Sequence, residues 1–431
     1  MSEALAVLLD ERVAGTLTRL SGGRLRFDYN EDYRAQADAV PLSLSMPTQV
    51  RSHPDAVITP WLWGLLPENE RVLERWARQF HASTSSPFSL LATPIGADCA
   101  GAVRFVALDE ADSFLEQAGE VTWLTDTDVA DRLRELQLDS TAWLGESFTG
   151  QFSLAGAQAK TALLFQDGRW GVPSGSTPTS HILKPAVAGF DDHDLNEHLC
   201  LSAARNVGLV AARTWVGQFD DQSAIIVERY DRIPSGDRII RVHQEDLCQA
   251  LGFPPSKKYQ NEGGPTPKQV VALLREAMPS RAADEAVWRF IDALAWNWLI
   301  AGTDAHAKNY SLLLSGRDVR LAPLYDVASA LPYKLHEKKM RLAMKIGGHY
   351  EVVNYNNPWP QAAKDLGVDT EGLFRRVVDL ATRTPDAFKD ATDDPEVAEL
   401  KRDLAIRLRD RVSERVGRCL ALLETKVETS A

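Results

Sequence analysis

Between Val287 and Ile300 the chain is apolar nearly all the way round a helix: Val287, Phe290, Ile291, Leu294, Ala295, Trp298 and Leu299 leave little polar face. A helix of that kind has to be buried in the middle of a core. The next stretch of chain is opposite in character. Thr303 to Asp326 reads TDAHAKNYSLLLSGRDVRLAPLYD: a polar stretch, a short hairpin pattern and a closing carboxylate. Asp304 and Asn309 have four residues between them in this stretch, and Asp326 ends it. A polar helix end leading into a surface hairpin is the bland reading. The order of the parts around the stretch argues against it.

The start of the chain reads as a β-meander, with apolar runs at Ala4–Leu9 and Val13–Leu17 and alternation over Arg24–Tyr29. A helix is expected to open at Pro60 with Thr59 as its cap, and a second to run from Pro67 to Phe80. Gly96–Val106 returns to strand-like sequence. A helix over Asp126–Leu138 leads to strands at Thr161–Phe165, Trp170–Val172 and Ser180–Lys184, the first two joined by an Asp167–Gly168 turn. Leu195–Val207 reads as a helix ended by Gly208, and Ser223–Tyr230 as a strand. Beyond about residue 240 helices dominate, the last running from about 395 to 426 with its arginines as a solvated face. These elements suggest an N-terminal β-rich subdomain at 1–112, a connecting segment at 113–145, a β-rich lobe at 146–232 and a helical lobe at 233–431.

With 431 residues, 44% hydrophobic and 25% charged, the composition is that of a globular chain with ample core. No apolar run reaches bilayer length, and the N-terminus has an acid where a signal peptide needs positive charge; the expectation is a cytoplasmic protein. Cys99, Cys200, Cys248 and Cys419 show no paired spacing and read as reduced, mostly buried thiols. A net charge of −12 makes the chain a poor binder of DNA through its own field.

Phosphoryl transfer asks a protein for a proton acceptor, oxygen ligands for Mg²⁺ and a cation on the phosphates. Asp304 suits the first role, Asn309 and Asp326 the second, and Lys184, at the end of the strand His181-Ile-Leu-Lys, the third. Glu197 sits on the next helix, as a glutamate must if it is to orient such a lysine. The segment from 150 to 161, GQFSLAGAQAKT, is not a Walker A loop, because alanine precedes its Lys-Thr. Its small residues Ala155, Gly156 and Ala157, with Gln158 and Lys160, would still let backbone N–H groups approach phosphate. Taken alone, an ordinary turn feeding a strand is the simpler account. Glu228-Arg-Tyr-Asp-Arg232 comes after an apolar strand, where a connector would meet adenine. His306 lacks the partners of a zinc site and reads as a structural loop histidine.

Together the segments PLSLSMP (41–47), GLLPENERV (64–72), SLAGAQAKTALL (153–164), HILK (181–184), VERYDR (227–232), HQEDLCQALG (243–252), KY and GGP (258–259, 263–265), TDAHAKNYS (303–311) and PLYD (323–326) resemble, in order, the HipA family of serine/threonine protein kinases. The resemblance implies an α+β, two-lobed protein-kinase-like fold, with a β-rich N-terminal lobe, an extra N-terminal subdomain and a mostly helical C-terminal lobe. It implies ATP and Mg²⁺ as cofactors, Asp304 as base, Asn309 and Asp326 as metal ligands and Lys184 as the ATP lysine. Nucleotide contacts would fall on Ala155, Gly156, Ala157, Gln158, Lys160, Glu228, Tyr230, His306 and Lys308. Ser153 would be an autophosphorylation site that switches the kinase off, since a phosphate there repels bound triphosphate. It further implies a toxin whose protein substrate is an aminoacyl-tRNA synthetase, glutamyl-tRNA synthetase being the type. Its partner would be a HipB-like helix-turn-helix antitoxin that contacts DNA on its behalf. Two alternatives stay open: a kinase fold acting on a small molecule, and a corepressor scaffold for the antitoxin.

Overall fold

The computed structural model describes residues 3–116, 119–144, 152–187, 189–236, 238–353 and 356–424. The chain divides into two units, each discontinuous in sequence. The first comprises Met1–Pro185, Gly217–Ser256 and Ser311–Arg320; the second comprises Ala186–Val216, Lys257–Tyr310 and Leu321–Ala431.

In the first unit the meander is real. Glu3–Leu9, Arg12–Arg19, Leu25–Tyr29, Ser52–Pro54 and Val103–Ala107 form an antiparallel five-stranded sheet with Glu3–Leu9 inside it. The unbroken apolar run of that strand has a physical cause: both its faces are covered. Leu5, Val7 and Leu9 join a core with Phe27, Trp61, Trp76 and Trp143, while Ala6 and Leu8 pack with Val106 and Ala111 on the other side. A six-stranded sheet holds Thr161–Gln166, Arg169–Pro173 and His181–Pro185. Its first hairpin turns at Asp167 and Gly168, both at positive φ, as the Asp-Gly pair requires.

Several boundaries differ from expectation. The helix assigned to begin at Pro60 runs instead from Asp55 to Leu65, with Pro60 inside it. The Asp55 carboxylate accepts from the Leu25 N–H (2.7 Å) and from the Thr59 hydroxyl (2.8 Å), which ties the helix start to the sheet and occupies the side chain expected to cap. The next helix starts at Glu70, not Pro67, because the Asn69 side chain accepts from the Arg71 N–H at 3.0 Å. In the Gly96–Val106 stretch only Val103 onward is strand; Asp98 is engaged with buried arginines instead. The helix at Asp126–Leu138 has its expected bounds and a capping box between Thr125 and Asp128.

The second unit is built on the helix Ser280–Leu299, buried over most of its surface as its sequence demands. Trp296 stacks on Phe388 of the helix Thr370–Thr392, and Trp298 meets Trp359 edge-on. The helix His193–Asn206 ends with Gly208 at positive φ. The single last helix becomes two, Pro395–Glu399 and Asp403–Glu424, broken where Lys401 takes a left-handed conformation and Arg402 turns to Asp194 at 2.8 Å. Residues 425 and 426 of the expected helix lie outside the described residues, as do 150 and 151 of the small-residue segment. Nor is the arginine face all solvated: Arg415 is buried and donates to the carbonyls of Trp298 (2.6 Å) and Val352 (2.9 Å). All four cysteines are buried free thiols. Among the described residues no helix is long and apolar enough to cross a membrane.

Candidate active site

In the second unit the chain leaves the central helix through a tight reversal. Ala301 adopts φ +52°, and the Gly302 N–H returns to the Asn297 carbonyl at 2.8 Å. A Cβ on Gly302 would sit 2.2 Å from Asn297 Oδ1, so glycine is needed there for close approach. The reversal delivers half-buried Thr303 and exposed Asp304 into the loop that runs to Asn309. Inside the loop His306 N–H bonds to Asp304 O (2.8 Å) and Asn309 N–H to His306 O (2.9 Å). The Asn309 side-chain amide donates through Nδ2 to the carbonyls of Asp304 (2.8 Å) and Asp326 (3.5 Å). One buried asparagine thereby joins the backbones of both carboxylates.

Asp326 is held from both sides in a left-handed conformation, φ +56°. Before it, Leu324 exchanges backbone hydrogen bonds with Val210 and Ala212 (2.9 and 2.8 Å), and the Tyr325 hydroxyl donates to Lys308 O at 2.7 Å. After it, Ser329 and the Asn196 amide bond reciprocally (2.8 and 3.0 Å), and Ser329 Oγ donates to Ile300 O at 2.6 Å. Backbone strain of this sort persists only where surrounding contacts over-determine it. The side chains of Asp304 and Asp326 are exposed, while His306, Lys308 and Asn309 are buried. With Nδ2 committed to carbonyls, Oδ1 is the Asn309 side-chain atom that could serve as a ligand. One amide oxygen and one carboxylate are hard donors suited to Mg²⁺, which takes few protein ligands and completes its shell with water and phosphate. Glu197, on the helix His193–Asn206, is buried.

In the first unit Lys184 is 6% exposed, so it is not a solvated edge charge; it pairs in register with Ile225. His181, on the same strand, is driven by burial down to about 4 and stays neutral near pH 7. The small-residue loop is gripped by the GLLPENERV segment. Ser153 is fully buried, its N–H bonded to Asp98 O and its hydroxyl to Leu65 O, both at 2.8 Å. Glu68 N–H bonds to the Gly156 carbonyl (3.1 Å). Lys160 turns inward, donating to Ala155 O at 2.6 Å with its ammonium 5.0 Å from the Trp143 ring centre. Gln158 Nε2 reaches Pro185 O at 3.4 Å, linking the loop to the residue beside Lys184, and Ala157 is exposed. Glu228 pairs with His181 in the sheet, and the Tyr230 hydroxyl donates to Gln244 Oε1.

Sequence reading missed what lies around that connector. Arg229, Arg232 and Arg241 are buried about Asp98 and Asp231, with Arg232–Asp98 at 2.9 Å and Arg229–Asp231 at 3.0 Å. Burial would raise the Asp98 carboxyl, but Arg232, Arg229 and Arg241, with the Thr179 hydroxyl, hold it well below the usual carboxylate range. The HQED segment likewise proves to be a clamp on PLSLSMP: Glu245 accepts from Ser43 Oγ (2.5 Å) and Leu44 N–H (2.8 Å). In the second unit Tyr259, which the sequence left without a role, donates to Asp304 Oδ1 at 2.5 Å. Its only sequence signal was the KY and GGP pair.

Residues 152–388 match the model of the HipA-like C-terminal domain, and residues 5–106 that of the HipA N-terminal domain. An inferred kinase of Sinorhizobium fredii, Y4mE, is 34% identical over 90% of this chain and 92% of its own length. The serine/threonine-protein kinase toxin HipA of Shewanella oneidensis is 29% identical over 85% of this chain and 86% of its own. Among solved structures, the chain matches the Shewanella oneidensis HipA in its complex with HipB and operator DNA at a TM-score of 0.82 and 25% identity, covering 97% of this chain and 98% of that one. The α+β, kinase-like fold expected from the motif series is the fold observed.

Proposed function

The chain belongs to the HipA family and is a serine/threonine protein kinase, and from that premise we propose that it uses Mg-ATP to phosphorylate a protein hydroxyl as the toxin of a HipA/HipB-like pair. The observation that carries the reading is the Asn309 amide, whose Nδ2 is bonded to the backbones of both Asp304 and Asp326. Asp304 takes the proton of the acceptor hydroxyl. Asn309 Oδ1 and the Asp326 carboxylate hold the magnesium ion, which when bound offsets the charge of the phosphates. His306 and Lys308 complete the nucleotide contacts of that loop.

In the first unit Lys184 supplies the phosphate-binding cation, and Ala155, Gly156, Ala157, Gln158 and Lys160 the phosphate loop. Glu228 and Tyr230 serve the adenine. Ser153 is the autophosphorylation site. Its hydroxyl is buried against a carbonyl, so a phosphate there is incompatible with the observed loop and forces it out. The substrate class is an aminoacyl-tRNA synthetase. The partner is a small helix-turn-helix antitoxin, as the HipB complex of the relative suggests; at a net charge of −12, DNA contact is best left to that partner.

Thermal unfolding with Mg-ATP tests the nucleotide assignment. A hundredfold excess over the dissociation constant adds about 2.7 kcal/mol, so the wild type should melt higher with Mg-ATP and the Lys184→Ala variant should gain much less. Equal gains in both proteins would remove Lys184 from the site.

A further inference from the structure

The turn at residues 257–264 is built to present one phenol to the catalytic loop. Lys258 O accepts from Ala307 N–H at 3.2 Å, and the Tyr259 ring meets the His306 ring edge-on, centres 5.0 Å apart at 82°. The turn closes behind it: Glu262 and Gly264 N–H groups both bond to Tyr259 O at 3.0 Å, and Lys257 Nζ reaches Glu262 O at 3.0 Å. A Cβ on Gly264 would stand 2.1 Å from Lys257 O and 2.7 Å from Tyr259 O, so the turn admits no side chain there. At the end of this support the Tyr259 hydroxyl donates to Asp304 Oδ1 at 2.5 Å. Among the described residues the Asp304 carboxylate has no other hydrogen bond, and the residue is exposed.

We propose that Tyr259 is a positioning residue for the transfer step: it fixes Oδ1 of Asp304 so that Oδ2 faces the acceptor hydroxyl. The inference rests on Asp304 being the base. An exposed aspartate samples several rotamers, and a proton acceptor is effective only when held within hydrogen-bond reach of the proton it takes. As the acceptor oxygen bonds to the γ-phosphorus, the bond to the bridging oxygen of ADP breaks and the acceptor's proton passes to Oδ2. Tyr259 keeps its own proton throughout.

Tyr259→Phe keeps the ring on His306 and removes only the hydroxyl. ADP release by the full chain, with dephosphorylated casein as hydroxyl donor and Mg-ATP varied, should show kcat lowered roughly ten- to a hundredfold. KM for Mg-ATP should stay within about twofold, since the hydroxyl acts on the base and not on the nucleotide. Asp304→Asn combined with Tyr259→Phe should be no slower than Asp304→Asn alone. An unchanged or raised kcat in Tyr259→Phe, or a loss of kcat tracking a loss of thermal stability, overturns the positioning role. Should Asp304→Asn itself retain wild-type turnover, the base assignment fails first, and the positioning role with it.

Discussion

Asn309 is the residue on which the loop from Asp304 to Asn309 is organised, because its amide commits its hydrogens to the carbonyls of Asp304 and Asp326. Gly302 serves the same loop from its other end, and its role is set by space alone. The Asn297 side chain that a new Cβ would strike is 3% exposed and already donates to Ala293 O (2.9 Å) and the Tyr310 hydroxyl (3.3 Å). It cannot step aside without breaking those bonds. Gly302→Ala should therefore cost about 1–3 kcal/mol in a chemical denaturation series and reduce turnover. Wild-type stability in that variant would mean that the reversal is looser than the distances imply.

At the scale of elements, the HQED strand His243–Asp246 shows how a motif without chemistry can serve the fold. Glu245 is buried against the 41–47 loop, and burial, opposed by the Leu44 N–H and the Ser43 hydroxyl, pushes its carboxyl up to about 8. A carboxyl raised above its ordinary value holds its proton better folded than unfolded. Its stabilising contribution is full below about pH 4.5 and is lost as pH rises through about 8. Stability of the wild type should fall across that window, and Glu245→Gln, which keeps an acceptor for Leu44, should flatten the slope; parallel slopes would contradict the assignment. Elements whose signals are local were legible in the sequence: the meander strands, the Asp167–Gly168 hairpin, the capped helix Asp126–Leu138 and the buried helix near Val287. Elements governed by distant partners were not. Nothing near Pro60 announces that Asp55 is bonded to Leu25, nothing in the helical pattern after residue 395 announces that Arg402 is drawn to Asp194, and Arg229 lies 131 positions from Asp98. The loop from Asp304 to Asn309 was legible by type and spacing because it is closed by its own atoms, whereas Tyr259 reaches Asp304 from 45 positions away.

For the whole molecule, the two family models together span 5–106 and 152–388, so the ordered series of motifs runs through both units. The first unit holds the buried lysines Lys184 and Lys160, and the second the exposed acids Asp304 and Asp326. The proposed transfer calls for groups of both kinds, since phosphates need positive charge and the acceptor hydroxyl needs a base. Phosphoryl transfer by Asp304→Asn measures the claim most directly. The account predicts that transfer from Mg-ATP to protein falls by at least about a hundredfold, while the Mg-ATP thermal shift stays close to that of the wild type. Undiminished transfer in the asparagine variant would contradict it.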